Sequence, residues 1–430
     1  MRKNDLKQEV SIFAKAVVST LAAAIIGYLL LIIVFALPQE PQYENIKESR
    51  EVLEGEGISF ELIEGYSSLH FDNYTEGLTF NSAIYSGTEK LTEKAAAIHQ
   101  YVYEGCMYYD SLFRYLDGDD KYEIGQYARD WHGYLIFVKP LLLVLNYSQI
   151  RIFNLIIQLV LISMILFILC KKKRELVIPF VVMLLFMSAP VIWLSMEYSA
   201  LYIITLISIL LLLRYENIID SRLYISLFFT CIGIAVAYVD VLTYPMLTFG
   251  IPMVMIYVLS NHKSNIKDYL SMLIRGGFYW LSGYAGMWGL KWIIATIFTD
   301  QNIIKEAILM ALYRMSSTSA ESGEVLKIGI TQVLKNNFGV YWHWPYGVII
   351  LLYAIMVIVR LARKQYTWKK SYFLVTVVLC LLPIVWYVLV KNHSYIHYWM
   401  THRNIVLIVF ALCCFEAQSR KDIELYDKED

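Results

Sequence analysis

Apolar runs of about 18 residues or more recur from one part of this chain to the next. A run of that length crosses a bilayer as a helix, because backbone groups in hydrocarbon must hydrogen-bond within their own segment. Membrane β-barrel strands alternate apolar and polar residues, so unbroken runs exclude that fold. The expected fold class is an all-α polytopic membrane protein. Hydrophobic residues make up 58% of the chain and charged residues 17%, against about half and about a quarter in soluble domains. The formal net charge is zero, so nothing in the balance points to a nucleic-acid partner. Of the six cysteines only Cys106 falls in a polar stretch. The others read as small hydrophobes, and no disulfide framework is implied.

The polar stretches and the basic residues set the expected topology. Arg2, Lys3, Lys7 and Lys15 precede the first run and place it with a cytoplasmic N-terminus, over residues 1–37. The run 17–37 is too long for a signal-peptide core, and Pro38 follows it directly, so a retained span is expected. Residues 38–149 form a first extracytoplasmic loop with surface helices, one of them within 91–107, and a turn at Asp117-Gly118-Asp119-Asp120. Residues 132–146 are apolar but short and contain Lys139-Pro140. Counting them as a span would put Lys171, Lys172, Lys173 and Arg174 outside, against the positive-inside bias. They are therefore expected to lie on, or dip into, the outer surface.

Residues 150–298 carry spans 2–7, expected near 150–170, 176–194, 199–213, 223–239, 246–260 and 271–298. Residues 299–344 form a second outer loop. Residues 345–416 carry spans 8–10 around a third outer loop at 391–403, and 417–430 form a cytoplasmic tail. This makes about ten spans with both termini inside. Seven of the eight histidines then fall outside, and only His262 inside. No internal repeat is visible, which disfavours inverted-repeat transporters.

The chemistry-bearing residues gather on the outer side. Asp72 and Glu76 are four apart, which on a helix puts both carboxylates on one side. Near a membrane surface a carboxylate with a raised pKa can serve as a general base; a loop acid or N-cap is the structural alternative. Arg129, Asp130, Trp131, His132 and Tyr134 stand within one hexapeptide. Interfacial anchoring accounts for Trp131 and Tyr134, but not for the three ionisable groups beside them. Asp240 stands at a tight outer turn, where capping is the alternative, and Glu197 at a neighbouring one. Lys291 lies about two turns inside span 7, where an ionisable group suggests function and snorkelling is the alternative. His393 and His397 share one helix face, a spacing that also suits a metal pair. Arg403 opens span 10 and can fork a phosphate. No Walker loop, dinucleotide fingerprint, His-Glu-x-x-His or Gly-x-Ser-x-Gly is present.

Nucleotide-activated donors are cytoplasmic, so an enzyme working outside needs a donor carried across on lipid. With a span, a large first outer loop bearing an acid near Asp72, His132-Gly133-Tyr134 with Lys139-Pro140 before the second span, and many further spans, the layout resembles the GT-C membrane glycosyltransferases. Those include protein O-mannosyltransferases and bacterial polyprenyl-phosphate-sugar transferases. The resemblance implies an inverting transfer of a sugar from a polyprenyl-phosphate donor to an extracytoplasmic acceptor such as a cell-surface glycan. Asp72 or Glu76 is then the base, and Lys291, Arg403 and Arg129 hold the leaving lipid phosphate. Asp130, Trp131, His132, Tyr134, Asp240, His393 and His397 line the substrate. It leaves a divalent cation open, with Asp72 and either Asp130 or Asp240 as the pair to hold it. The rivals are a polysaccharide polymerase or ligase, a transporter or flippase of lipid-linked glycans, and a non-catalytic scaffold.

Overall fold

The computed structural model describes residues 3–215, 217–260, 266–320, 325–367 and 370–420. Among them seven helices are long and apolar enough to cross a membrane: Asp5–Phe35, Tyr147–Lys172, Met196–Arg214, Arg222–Val239, Trp344–Ala362, Tyr372–Leu389 and Tyr398–Gln418. The protein is thus predominantly helical, with the architecture of a multi-span membrane protein. Local chemistry starts these helices. Asn146 accepts from the Gln149 N–H at 3.1 Å while the Gln149 side chain accepts from the Asn146 N–H at 3.0 Å, a reciprocal box that opens Tyr147–Lys172. Ser195 and Ser221 cap Met196–Arg214 and Arg222–Val239 in the simpler way.

Three of the expected spans take another form. The segment 176–194 is broken into the helices Val177–Phe186 and Ala189–Leu194. Ser188 between them has φ 57°, and Pro190, which has no N–H to donate to the preceding turn, stands in the first turn of the second helix, where that costs nothing. Met246–Leu259 has 14 residues, about 21 Å at helical rise, against a hydrocarbon core of about 30 Å. Ile266–Phe298 has 33 residues and ample length, but its glycines, tyrosines and four charged residues, Lys267, Asp268, Arg275 and Lys291, dilute its apolar character. His262 and residues 421–430 lie outside the described residues.

The polar stretch 38–149 is a folded layer, not a simple excursion. The expected helix over 91–107 stops at Ala97, and His99–Val102 is a strand paired antiparallel with Glu123–Gln126. Ile98, at φ 52°, makes the switch: a left-handed residue ends an α-helix. A second ribbon pairs Ser59–Glu61 with His70–Asp72. The segment 132–146 contains only the seven-residue helix Leu135–Leu141, about 10 Å long and too short to cross. A hydrophobic core of its own ties this layer to the long helices, with Leu31, Phe35, Phe80, Ile84, Leu112, Trp131 and Met287 buried together.

The largest helix contact joins Arg222–Val239 to Ile266–Phe298. A Cβ at Gly283 would stand 2.3 Å from the Thr230 carbonyl oxygen, and one at Gly233 would stand 2.1 Å from that of Trp280. The two backbones therefore touch, an approach that glycine alone permits. About two turns from Gly283, Arg275 of Ile266–Phe298 forks Glu9 of the first helix, Asp5–Phe35, at 2.7 and 2.8 Å.

Candidate functional site

Asp72 ends the ribbon strand and precedes the helix Asn73–Ile84. It is 9% exposed, and the Trp399 indole N–H approaches its Oδ2 at 3.4 Å. Burial holds its carboxyl above the usual carboxylate range, opposed by Trp399 and the backbone of Thr75 and Tyr74. Glu76, one turn on, is also buried but differently employed. Its Oε1 accepts from the Met196 N–H at 2.8 Å and from Ser195 Oγ at 3.3 Å. It therefore sits at the N-terminus of Met196–Arg214, where unpaired N–H groups and the helix dipole favour an anion. Burial pushes it up to about 7, against Arg151 and these hydrogen bonds. Arg151 itself forks Glu56 at 2.5 and 2.8 Å.

Next to Glu76 in space stands Glu197. Both its carboxylate oxygens are buried and without a hydrogen-bond partner among the described residues. Its charge reaches Asp72, Glu76, Asp240 and Arg403. Arg403 is fully buried. Its guanidinium lies 4.0 Å over the Tyr198 ring, and Nη1 donates to the Trp399 carbonyl at 2.9 Å. Its Nε and Nη2 are buried and unpaired among the described residues. A buried guanidinium with two unanswered donors, within electrostatic reach of a carboxylate with two unanswered acceptors, is the strongest sign of a binding position among the described residues. Asp240 is capped by Thr243, whose N–H and Oγ1 donate at 3.0 and 2.6 Å. Burial pushes it to about 6. Leu242, two residues on, has φ 72°, a strained position for a leucine.

The Arg129–Tyr134 hexapeptide lies under this cluster. Arg129 pairs with Glu306 at 2.9 Å and covers the Tyr127 ring at 4.3 Å. Asp130 is buried, which raises its pKa, while Arg129, Lys291 and Arg314 oppose the shift. Trp131 is not an interfacial anchor. It is 1% exposed and donates to the Met287 carbonyl at 2.8 Å, a core position with its polar handle satisfied. His132 Nε2 faces the Tyr127 carbonyl at 3.1 Å and Nδ1 faces the Tyr134 hydroxyl at 2.6 Å. Nε2 therefore carries the proton, and Nδ1 accepts from Tyr134. Burial, then Lys291 and Arg129, push this imidazole down to about 3, so it stays neutral.

Lys291 does not snorkel. It is fully buried, and its Nζ donates to the carbonyls of Ala96 at 2.7 Å and Ala95 at 3.5 Å. It thereby caps the C-terminus of Leu91–Ala97, where a cation suits the dipole, and lies 5.7 Å from the Trp131 ring. His393 and His397 stand with their rings 4.7 Å apart, although they do not share a helix face, because the helix Lys391–Ile396 ends before His397. His393 Nε2 meets the Leu242 carbonyl at 2.6 Å, and burial pushes it to about 3. His397 Nε2 accepts from Arg314 at 3.0 Å.

These groups lie within electrostatic reach of one another in a buried polar layer. Glu197 feels Asp72, Asp240 and Arg403, Asp240 feels Asp130, and Asp130 feels Arg129, Lys291 and Arg314, without a direct ion pair in any of these couplings among the described residues. Arg314 carries no sequence signal of its own. Its helix, Ile303–Met315, is mostly apolar with charges only at Lys305, Glu306 and Arg314, and only the fold brings Arg314 within electrostatic reach of Asp130. Among the described residues no group of three or more His, Cys, Asp and Glu side chains is placed to hold a metal ion. No protein-family model, curated protein or solved structure matches the chain.

Proposed function

We propose that this protein is a GT-C-type membrane glycosyltransferase that moves a sugar from a polyprenyl-phosphate donor to an extracytoplasmic acceptor, with inversion. About ten membrane-crossing segments, with both termini cytoplasmic, complete this reading; the broken and polar helices, and the short Met246–Leu259, which is enclosed by protein and need not span the lipid by itself, supply the three beyond the seven. It places the protein in the cell membrane with its working face outside. The observation that carries it is the buried layer in which Asp72, Glu197, Asp240 and Asp130 lie within electrostatic reach of one another and of Arg403, Arg129 and Lys291. An enzyme of this class needs a base for the acceptor hydroxyl and cations for the leaving lipid phosphate.

In the proposed reaction Asp72 takes the proton of the acceptor hydroxyl as its oxygen attacks the anomeric carbon. The bond from that carbon to the phosphate oxygen breaks, and the polyprenyl phosphate leaves against Arg403, with Arg129 and Lys291 behind it. Asp72 suits the base better than Glu76, because Glu76 is committed to the Met196 N–H. Trp399, which contacts Asp72 and stands between the rings of His70 and His397 at 5.5 and 5.3 Å, offers a face for a sugar. Asp130, His132, Tyr134, Asp240, His393 and His397 form the walls.

The test is transfer by the purified protein in vesicles supplied with polyprenyl-phosphate sugars. Asp72→Asn should insert normally and lose about 10²–10⁴-fold of the rate, the usual share of a general base. Undiminished transfer in that variant moves the base elsewhere. Movement of lipid-linked glycan across the vesicle, with no sugar transferred, replaces the enzyme with a flippase.

A further inference from the structure

The helix Ile303–Met315 is built inside out. Its outward residues Ile304, Ile308, Leu309, Leu312 and Met315 are all large and apolar, each between 37% and 59% exposed. Spacings of four, one, three and three keep them on one broad stripe. The opposite face is where its charged groups do their bonding. Glu306 pairs with Arg129, Arg314 meets His397, and Ile303 and Ala307 are buried between them. A helix bathed in water places these two classes the other way round.

We infer that Ile303–Met315 is an interfacial helix whose apolar stripe lies in the acyl region of the leaflet on the acid-layer side. Its inner face straps two polar segments over that layer. The occupant is lipid, because the stripe follows directly on the exposed apolar end of a long helix of the bundle and the chain enters a membrane span again beyond it. Ile293 and Ile297 are exposed on the long helix just before it. Beyond it Trp342 and Trp344, 90% and 73% exposed, stand at the start of the span Trp344–Ala362, the position of an aromatic belt. The helix has 13 residues, about 20 Å, too short to cross and suited to lying flat. Lys305 shares the stripe's face in the first turn of the helix, where its long stem can lie along the apolar surface while the ammonium reaches the headgroups. The strap joins the Arg129 segment to the His397 segment, so lipid contact and the geometry of the acid layer are mechanically linked. This inference stands whether or not the protein transfers sugar.

The test places a photoreactive benzoylphenylalanine at Leu309, at Leu312 and, as a water-facing control, at Thr88. The full chain is reconstituted in phosphatidylethanolamine–phosphatidylglycerol vesicles, irradiated and analysed by mass spectrometry. All three positions are exposed, so the fold tolerates the probe. Lipid adducts at 309 and 312 several times more abundant than at 88 are expected. Equal yields at all three positions overturn the inference. So do cross-links from 309 to a second copy of the chain in place of lipid, which would make the stripe a protein interface.

Discussion

Gly283 and Gly289 stand in one helix and respond oppositely to one added methyl. At Gly283 the methyl carbon would lie 2.3 Å from the Thr230 carbonyl oxygen and 3.2 Å from the Ile234 nitrogen. A carbon and a carbonyl oxygen come no closer than about 3.3 Å, so the two helices must part by roughly 1 Å. A gap of that size forfeits about a quarter to a half of the attraction at each facing contact. Overpacking of this kind typically destabilises by about 1–3 kcal/mol. Alanine in place of glycine returns about 0.5–1 kcal/mol of helix propensity. Gly283→Ala is therefore expected to lose about 1–2 kcal/mol net. Gly289 has nothing within 4 Å of its Cβ position, so Gly289→Ala keeps only the propensity gain, about 0.5–1 kcal/mol. Gly233→Ala should resemble Gly283→Ala. The double variant should lose less than the sum, because helices parted by one methyl have room for the other. The assay is denaturant unfolding in detergent, with fluorescence-detected size exclusion after heating as a check. A Gly283→Ala protein as stable as the native one, or strictly additive glycines, would refute backbone contact at this crossing.

Other expectations follow from buried charge. Lys139 is fully buried, bonded to Gln42 at 2.9 Å and to the Ala83 carbonyl, and burial pushes it down to about 7 from 10.5. Between those values the unfolded chain binds a proton that the fold does not, so stability should rise with pH from about 7 to 10. Lys139→Met should lower stability yet flatten that slope, and an unchanged slope assigns it to another group. Because burial raises the pKa of Asp72, the acid limb of a transfer-rate profile should lie above the ordinary aspartate value of about 3.9; a limb at or below that value removes Asp72 as the titrating base. Thr88→Cys should be modified from outside by an impermeant thiol reagent in intact cells, and protection there reverses the topology. Lys291→Met leaves two helix-end carbonyls unanswered and should lower stability by about 1–3 kcal/mol. It should also weaken donor binding more than acceptor binding, and the reverse order removes its phosphate role.

Much of the helical layout is legible in the chain. Tyr147–Lys172, Arg222–Val239 and Trp344–Ala362 fall close to the runs that predict them, because a helix in hydrocarbon satisfies its backbone from its own residues. Pro190 in the 176–194 run is a visible breaker, yet hydropathy alone counts that run as one span. The strand at His99–Val102 is harder to foresee, since Ala95, Ala96 and Ala97 favour helix and the stop depends on pairing with a strand more than twenty residues on. Glu197 looks like an ordinary turn acid in the sequence, and Arg314 looks like nothing at all.

The apolar runs and their charged ends are local properties, and they suffice for a multi-span helical membrane protein. The environment of each acid is not local. Asp72 meets Trp399, Glu76 meets the start of a helix at Met196, and Lys291 meets the carbonyls of Ala95 and Ala96. In a dry layer each polar group takes its character from whichever partner the fold brings within hydrogen-bond reach. Two carboxylates four residues apart thus acquire different partners, and only the crossing of distant segments distinguishes the one that meets an indole from the one that holds a helix start.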